Sequence, residues 1–342
     1  MFIIIYIFYV IVLCVNTSSI YAIDQVDIIA PSSKGRESDL IFIKEYVEAL
    51  GFYPHVSEKI YSNDNSFYSN SDEFRANDLI NALIGKSKII WCIRGGTGAS
   101  RLIPYLEKLS SDQKEKITRK VFIGYSDVTV LHTYLQAKYD WQTLHGTMLE
   151  MIVNNSVSES SIEKLEGLIL NKQDFIRFDN LKIINNNIKL KNGRLESKIV
   201  GGNMTLVENS IGTVWQVNAK GKILFLEDIR VYPYAMERSL DHLKQANIFD
   251  GVQAVIFGNF VNSSNSNLVE RVKERFAKSV NFPVFTIQGV GHGYINDPLP
   301  LNTHTIIDIK NEKKGLFFMD VQNLQVSSPI PTSKIRDGDK KA

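Results

Sequence analysis

Phe122-Ile123-Gly124-Tyr125-Ser126-Asp127 is where the hydrophobic period of the chain changes. Val121 to Ile123 ends an apolar run, and Val128, Leu131 and Leu135 then recur at helical spacing, so a buried strand is expected to turn directly into a helix. On such a bend Ser126 projects its hydroxyl from the sheet edge, as hydrolase nucleophiles do. The free amides of the helix's first turn would face a developing oxyanion. An α/β-hydrolase elbow wants glycine two residues after the serine, where this chain has Val128. Read alone, Gly-Tyr-Ser-Asp is more often a plain helix N-cap.

Outward from this bend the chain reads as α/β. Val26 to Ala30 is expected as a first strand, Asp39 to Leu50 as a helix with apolar residues at Leu40, Ile43, Val47 and Leu50, Phe74 to Ile84 as a second helix, and Lys88 to Ile93 as a buried strand. Alternation of strand and helix up to about Thr147 predicts a parallel sheet with helices on both faces. From about Asn154 to Lys198 the composition shifts to Asn, Lys, Ser and Glu without a strong period, the best candidate for a connector. Beyond it, Ile223 to Leu226, Tyr234 to Ala246 and Ala254 to Phe257 predict a βαβ unit of a smaller second α/β domain. The expected division is a leader at 1–22, an N-terminal α/β domain at 23–150, a connector at 151–198, a C-terminal domain at 199–330 and a charged, disordered tail at 331–342.

Three chemistry-bearing residues fall at strand ends, where open α/β sheets build their sites. Ser126 is one; Glu227 closes the run Lys222 to Leu226, and His292 lies in Gly289-Val290-Gly291-His292-Gly293 after Phe282 to Ile287. A serine needs a base to lose its proton at neutral pH, and the imidazole needs a carboxylate to fix its tautomer. Taken singly, each has a plain alternative: a capped helix, a solvated strand end, a histidine in a glycine-rich turn.

Arg94-Gly95-Gly96-Thr97-Gly98-Ala99-Ser100-Arg101-Leu102, Gly124-Tyr125-Ser126-Asp127, His145-Gly146, Gly201-Gly202-Asn203, Leu226-Glu227-Asp228 and Gly291-His292-Gly293, in this order between about Ile28 and Asn302, resemble the LD-carboxypeptidases, serine peptidases that release terminal D-alanine from murein tetrapeptides. The resemblance implies a triad of Ser126 as nucleophile, Glu227 as orienting carboxylate and His292 as base, with the Gly96 and Asp127 amides as oxyanion hole. It also implies a murein peptide substrate and a homodimer. A related branch of the superfamily cleaves peptide-nucleotide antibiotics and confers immunity, the alternative reading, and a non-catalytic murein-binding protein is a third.

Arg94 and Arg101 flank the glycines and are candidates for the substrate's terminal carboxylate. Asn203 has a turn and a substrate hydrogen bond as its two readings. Ser100 is read as an N-cap and His145 as structural. The glycine run lacks Gly-Lys-Ser/Thr and the dinucleotide spacing, so no nucleotide cofactor is expected, and no histidine has metal-ligand spacing.

The 342 residues carry a formal net charge of +2, and no basic stripe with interleaved aromatics suggests nucleic acid. Met1 to Val15 is almost wholly apolar and Ala22 is small, which predicts a secretory signal and a periplasmic or secreted enzyme; the missing basic start keeps a membrane anchor or a cytoplasmic location open. Cys14 leaves with such a signal, so Cys92 stands alone as a small core hydrophobe.

Overall fold

Strands β3 (Ile89–Cys92) and β4 (Val121–Gly124) are buried at every position, as parallel strands covered on both faces must be. The computed structural model describes residues 24–62, 67–185, 193–261, 265–313 and 316–324; the expected leader and charged tail lie outside the described residues. With β1 (Gln25–Ile29), β2 (Tyr53–Val56), β5 (Thr143–His145) and β11 (Leu299–Leu301), the two strands form a six-stranded sheet in the order β11-β5-β4-β3-β1-β2. Alternate side chains feed opposite layers. Ile90, Cys92 and Phe122 pack with Leu79 and Leu83 of helix Asp72–Ile84 and with Leu131 and Leu135 of helix Thr129–Tyr139.

The other face takes Val26, Ile28, Trp91 and Leu144 against Ile43 and Val47 of helix Asp39–Ala49 and Leu165 and Leu168 of helix Glu159–Ile169. Cys92 is fully buried, as expected of a small core hydrophobe, and burial pushes its thiol pKa up.

The second half closes on itself. Strands β6 (Phe175–Ile183), β7 (Arg194–Asn203), β8 (Ile223–Ile229), β9 (Ala254–Val261), β10 (Val284–Thr286), β12 (His304–Lys313) and β13 (Leu316–Gln322) form a closed barrel in the order β10-β6-β13-β12-β7-β8-β9. Strands β7 to β10 run parallel and the remainder pair antiparallel. Ile223, Phe225, Ile256 and Phe285 fill one core cluster, while Leu224, Leu226, Val255 and Phe257 join another with Leu240 and Leu243 of helix Pro233–Gln245 and Val272 and Phe276 of helix Ser266–Lys278. The expected βαβ unit is present, with β8 and β9 parallel about the first of these helices.

The described residues of the stretch 151–198, expected as a connector, instead form helix and strand. Helix Glu159–Ile169 buries Leu165, Leu168 and Ile169 against the first sheet, and β6 is a barrel strand. Its period was hidden by a register shift: buried residues fall at Ile176 and Phe178 and then at Leu181, across a break in the pairing with β13. The first sheet also departs from purely parallel, because β11 returns from the second half and pairs antiparallel with β5, Leu299 opposite His145. Asn302, just beyond it, donates to Asp140 Oδ1 at 2.9 Å and to the Trp141 carbonyl at 3.0 Å, fastening the two halves together.

Candidate active site

Strand β4 ends at Gly124, Tyr125 is extended, and Ser126, with a φ of 64°, opens the short 3-10 turn Ser126–Val128 that leads into helix Thr129–Tyr139. A left-handed conformation at a residue with a side chain is strained, and such strain gathers where a reactive group must be presented. The glycine missing after the serine has its counterpart before it. A Cβ on Gly124 would lie 2.7 Å from the Val128 side chain, so it is Gly124 that lets the helix fold back on the strand. Ser126 is partly exposed, and among the described residues its hydroxyl has no hydrogen-bond partner. The glycine loop lies against it: a Cβ on Gly95 would be 3.2 Å from Ser126 Oγ.

Glu227 sits near the end of β8, wholly buried, and its Oε2 accepts from the His292 backbone amide at 3.2 Å and meets His292 Nδ1 at 2.6 Å. The carboxylate therefore sets the tautomer, leaving Nε2 for chemistry. This approach requires glycine at 291, where φ is +111° and a Cβ would fall 2.6 Å from Glu227 Oε2. Burial alone would lower the His292 pKa, but the Glu227 carboxylate, its hydrogen bond and Asp228 outweigh it, and the net shift is upward. The imidazole packs 4.8 Å from the Tyr125 ring, one residue before Ser126. A strained serine, an imidazole and a buried carboxylate thus converge from two halves of the chain, although Ser126 and His292 are not hydrogen-bonded to each other.

The other expected residues sort by their partners. Among the described residues no backbone carbonyl takes the Gly96 amide, and the Asp127 amide lies in the first turn of the 3-10 segment, so both stay available to an oxyanion. Arg94 pairs with Glu150 at 3.4 Å and donates to the Lys34 carbonyl at 3.1 Å, with more than a third of its side chain exposed. Arg101 is committed to Asp72 at 2.5 Å. Ser100 does not cap: it lies inside the 3-10 segment Ala99–Leu102, whose N-cap is Gly98. Asn203 is the N-cap of helix Met204–Asn209; its Oδ1 accepts from Leu206 and its side-chain amide donates to Asp228 Oδ1 at 2.9 Å, so both ends of the side chain are bonded within the protein. His145 is fully buried behind Tyr125 at 5.4 Å, with burial holding its pKa well below the usual imidazole value. Sequence reasoning passed over Tyr125, between two imidazoles, and Asp228, which anchors Asn203 and Thr205 beside Glu227. Their only signal was adjacency to Ser126 and Glu227. Among the described residues no group of three or more His, Cys, Asp or Glu side chains could hold a metal ion.

Two family models match this chain, the LD-carboxypeptidase N-terminal domain over residues 26–146 and the LD-carboxypeptidase C-terminal domain over residues 196–307. The chain belongs to the LD-carboxypeptidase family. It is a serine carboxypeptidase of that family. A Rickettsia prowazekii protein with a provisional carboxypeptidase name is 40% identical over 75% of this chain and 78% of its own length. The Escherichia coli microcin C7 self-immunity protein is 26% identical over 78% of this chain and 85% of its own. The crystal structure of muramoyltetrapeptide carboxypeptidase from Oxalobacter formigenes superposes with a TM-score of 0.73 at 22% identity, covering 88% of this chain and 99% of that one, a likeness of fold.

Proposed function

We propose that this LD-carboxypeptidase cuts the amide bond between the L-centre of a diamino acid and terminal D-alanine in murein tetrapeptide, with Ser126, His292 and Glu227 as its triad. The observation that carries the reading is the Glu227–His292 bond of 2.6 Å, set against Tyr125 beside the strained Ser126. Ser126 Oγ attacks the scissile carbonyl while His292 Nε2 takes its proton, and Glu227 stabilises the imidazolium that forms. The amides of Gly96 and Asp127 receive the oxyanion. Collapse returns the proton to the departing D-alanine amine, and water, activated by the same imidazole, releases the acyl group. Arg94, partly exposed beside the glycine loop, meets the terminal carboxylate of the substrate.

Incubation of purified protein with murein tetrapeptide and, separately, with a peptidyl-adenylate tests the substrate. Mass spectrometry should find D-alanine released from the first; turnover of the adenylate alone would assign the chain to the immunity branch. Activity should persist in EDTA, and loss restored by zinc would overturn the serine mechanism. The apolar segment Phe2 to Val15 is shorter than the ~20 residues of a membrane span, which supports export after cleavage near Ala22. N-terminal sequencing from fractionated cells should find a mature start near Ile23, and an intact Met1 in the soluble cytoplasmic fraction would refute export. Assembly as a homodimer is read out by sedimentation equilibrium.

A further inference from the structure

Arg75, in helix Asp72–Ile84, is a buried cation with only 1% of its side chain exposed, and the triad makes no use of it. Its guanidinium reaches three loops. Nε donates to the Asn70 carbonyl at 3.2 Å, and Nη1 donates to the Pro31 carbonyl and, at 3.0 Å, to the Gly98 carbonyl. Nη2 pairs with Asp72 at 2.6 Å, and the Tyr68 ring covers the group at 4.7 Å. Burying a charge costs several kcal/mol in desolvation, and an apolar residue of similar size often stabilises a core as well or better. Stability alone therefore does not account for an arginine here.

The anion on the far side does. Asp127, the residue after Ser126, is buried, and its Oδ2 accepts from the Ala99 amide at 2.8 Å and from Ser32 Oγ at 2.7 Å. Ala99 and Ser32 directly follow Gly98 and Pro31, whose carbonyls Arg75 holds. The peptide group between Gly98 and Ala99 is thus gripped at both ends, its carbonyl by the cation and its N–H by the anion. Opposite charges at the two ends of a peptide dipole strengthen both hydrogen bonds in a dry interior. The same pair brackets the Pro31–Ser32 turn, and Ser33, the next residue, donates its amide to the Gly95 carbonyl at 3.2 Å.

We infer that Arg75 and Asp127 act as a positioning pair, clamping the Gly98–Ala99 peptide so that the glycine loop carrying the Gly96 amide is held in register with Ser126. Neither side chain enters the reaction. The inference rests on the serine-peptidase reading of the site, since what is positioned is the oxyanion hole. Misplacement of such donors by about 1 Å costs on the order of 10²-fold in rate, and the loss falls on kcat because ground-state binding is untouched.

The test compares wild type with Arg75→Met, Arg75→Lys, Asp127→Asn and the double variant Arg75→Met/Asp127→Asn, each first shown by circular dichroism to be folded. Two rates are read: labelling of Ser126 by a fluorophosphonate, which needs the oxyanion hole but no peptide recognition, and turnover of murein tetrapeptide. Arg75→Met should slow both by about 10²-fold with KM within ~3-fold of wild type, and Arg75→Lys, which keeps the charge but loses the fork, should recover part of the loss. The double variant should be no slower than the slower single one, the mark of residues acting as a unit. Unchanged labelling in a folded Arg75 variant, losses that simply multiply, or a loss confined to KM would overturn the clamp. Should Arg75→Met fail to fold, Arg75→Lys and Asp127→Asn carry the same comparison. A wild-type protein that the fluorophosphonate leaves unlabelled would instead overturn the serine reading itself.

Discussion

The Ser126 side and the Glu227–His292 side of this site are held by different forces. Ser126 is presented by backbone geometry: an extended Tyr125, a φ of 64° at the serine, and a helix folded back over Gly124. Glu227 and His292 are held by charge, one wholly buried carboxylate meeting one imidazole at 2.6 Å. A site held by backbone conformation should tolerate loss of its side chain, whereas one held by charge should not. Removing a group from each side therefore separates chemistry from architecture.

The largest effect on rate belongs to the backbone side. Ser126→Ala should lower kcat on the order of 10⁶-fold, as loss of a triad nucleophile does, while thermal unfolding stays close to that of wild type. Near-normal activity of Ser126→Ala combined with inactivity of Ser100→Ala would move the nucleophile to the glycine loop.

On the charge side, Glu227→Gln should reduce kcat by about 10⁴-fold, the scale seen when a triad carboxylate becomes an amide. It should also move the pH profile. In wild type the His292 pKa is raised, so the neutral base accumulates only as pH climbs past a value above the ordinary ~6.5 of imidazole, and kcat/KM should rise through a limb there. Without the carboxylate, burial is left to dominate and lowers the His292 pKa, so the residual activity should keep its plateau to lower pH. An acid limb unmoved by Glu227→Gln would show that another group sets it.

His292→Ala turns the comparison from rate to stability. Among the described residues Glu227 Oε1 already lacks a hydrogen-bond partner, and removing the imidazole leaves a buried carboxylate with, among those residues, only the backbone amide of residue 292 on its other oxygen. Breaking a buried pair from one side costs about 3–5 kcal/mol, which denaturant unfolding should register. Adding Glu227→Gln to His292→Ala should recover much of the loss, because the uncompensated charge is gone. If His292→Ala proved as stable as Ser126→Ala, charge would not be what holds this side.

The same division governs how much of the molecule could be read from its sequence. The first sheet was legible because strands covered on both faces are continuous apolar runs, as at Ile89 to Cys92, and because its helices keep their period at Ile43 and Val47 or Leu131 and Leu135. The barrel was not, since closure is a property of pairing between distant strands and β6 hides its alternation at a register shift. Within the site, residues on strand ends were found and those that act through others were not. Arg75 looks like any helix arginine until Pro31, Asn70 and Gly98 are folded around it. Asn203 announced a turn and serves as a cap, a distinction made only by the position of Asp228.

The smallest effect probes the strain itself. A left-handed φ costs a residue with a Cβ roughly 1–2 kcal/mol relative to glycine, while glycine gives back part of this through the entropy of the unfolded chain, about 0.5–1 kcal/mol. Ser126→Gly should therefore be more stable than Ser126→Ala, by up to about 1.5 kcal/mol. Both lack the hydroxyl, so the difference reports the backbone alone and is read by comparing their midpoints in urea at equal slope. A midpoint for Ser126→Gly clearly below that of Ser126→Ala, the entropy cost of glycine standing alone, would mean that the elbow carries no strain at Ser126 and that the serine is presented by its neighbours' packing. A gap of the expected sign, with both variants inactive, would mean that the fold spends backbone stability at one residue to aim one oxygen.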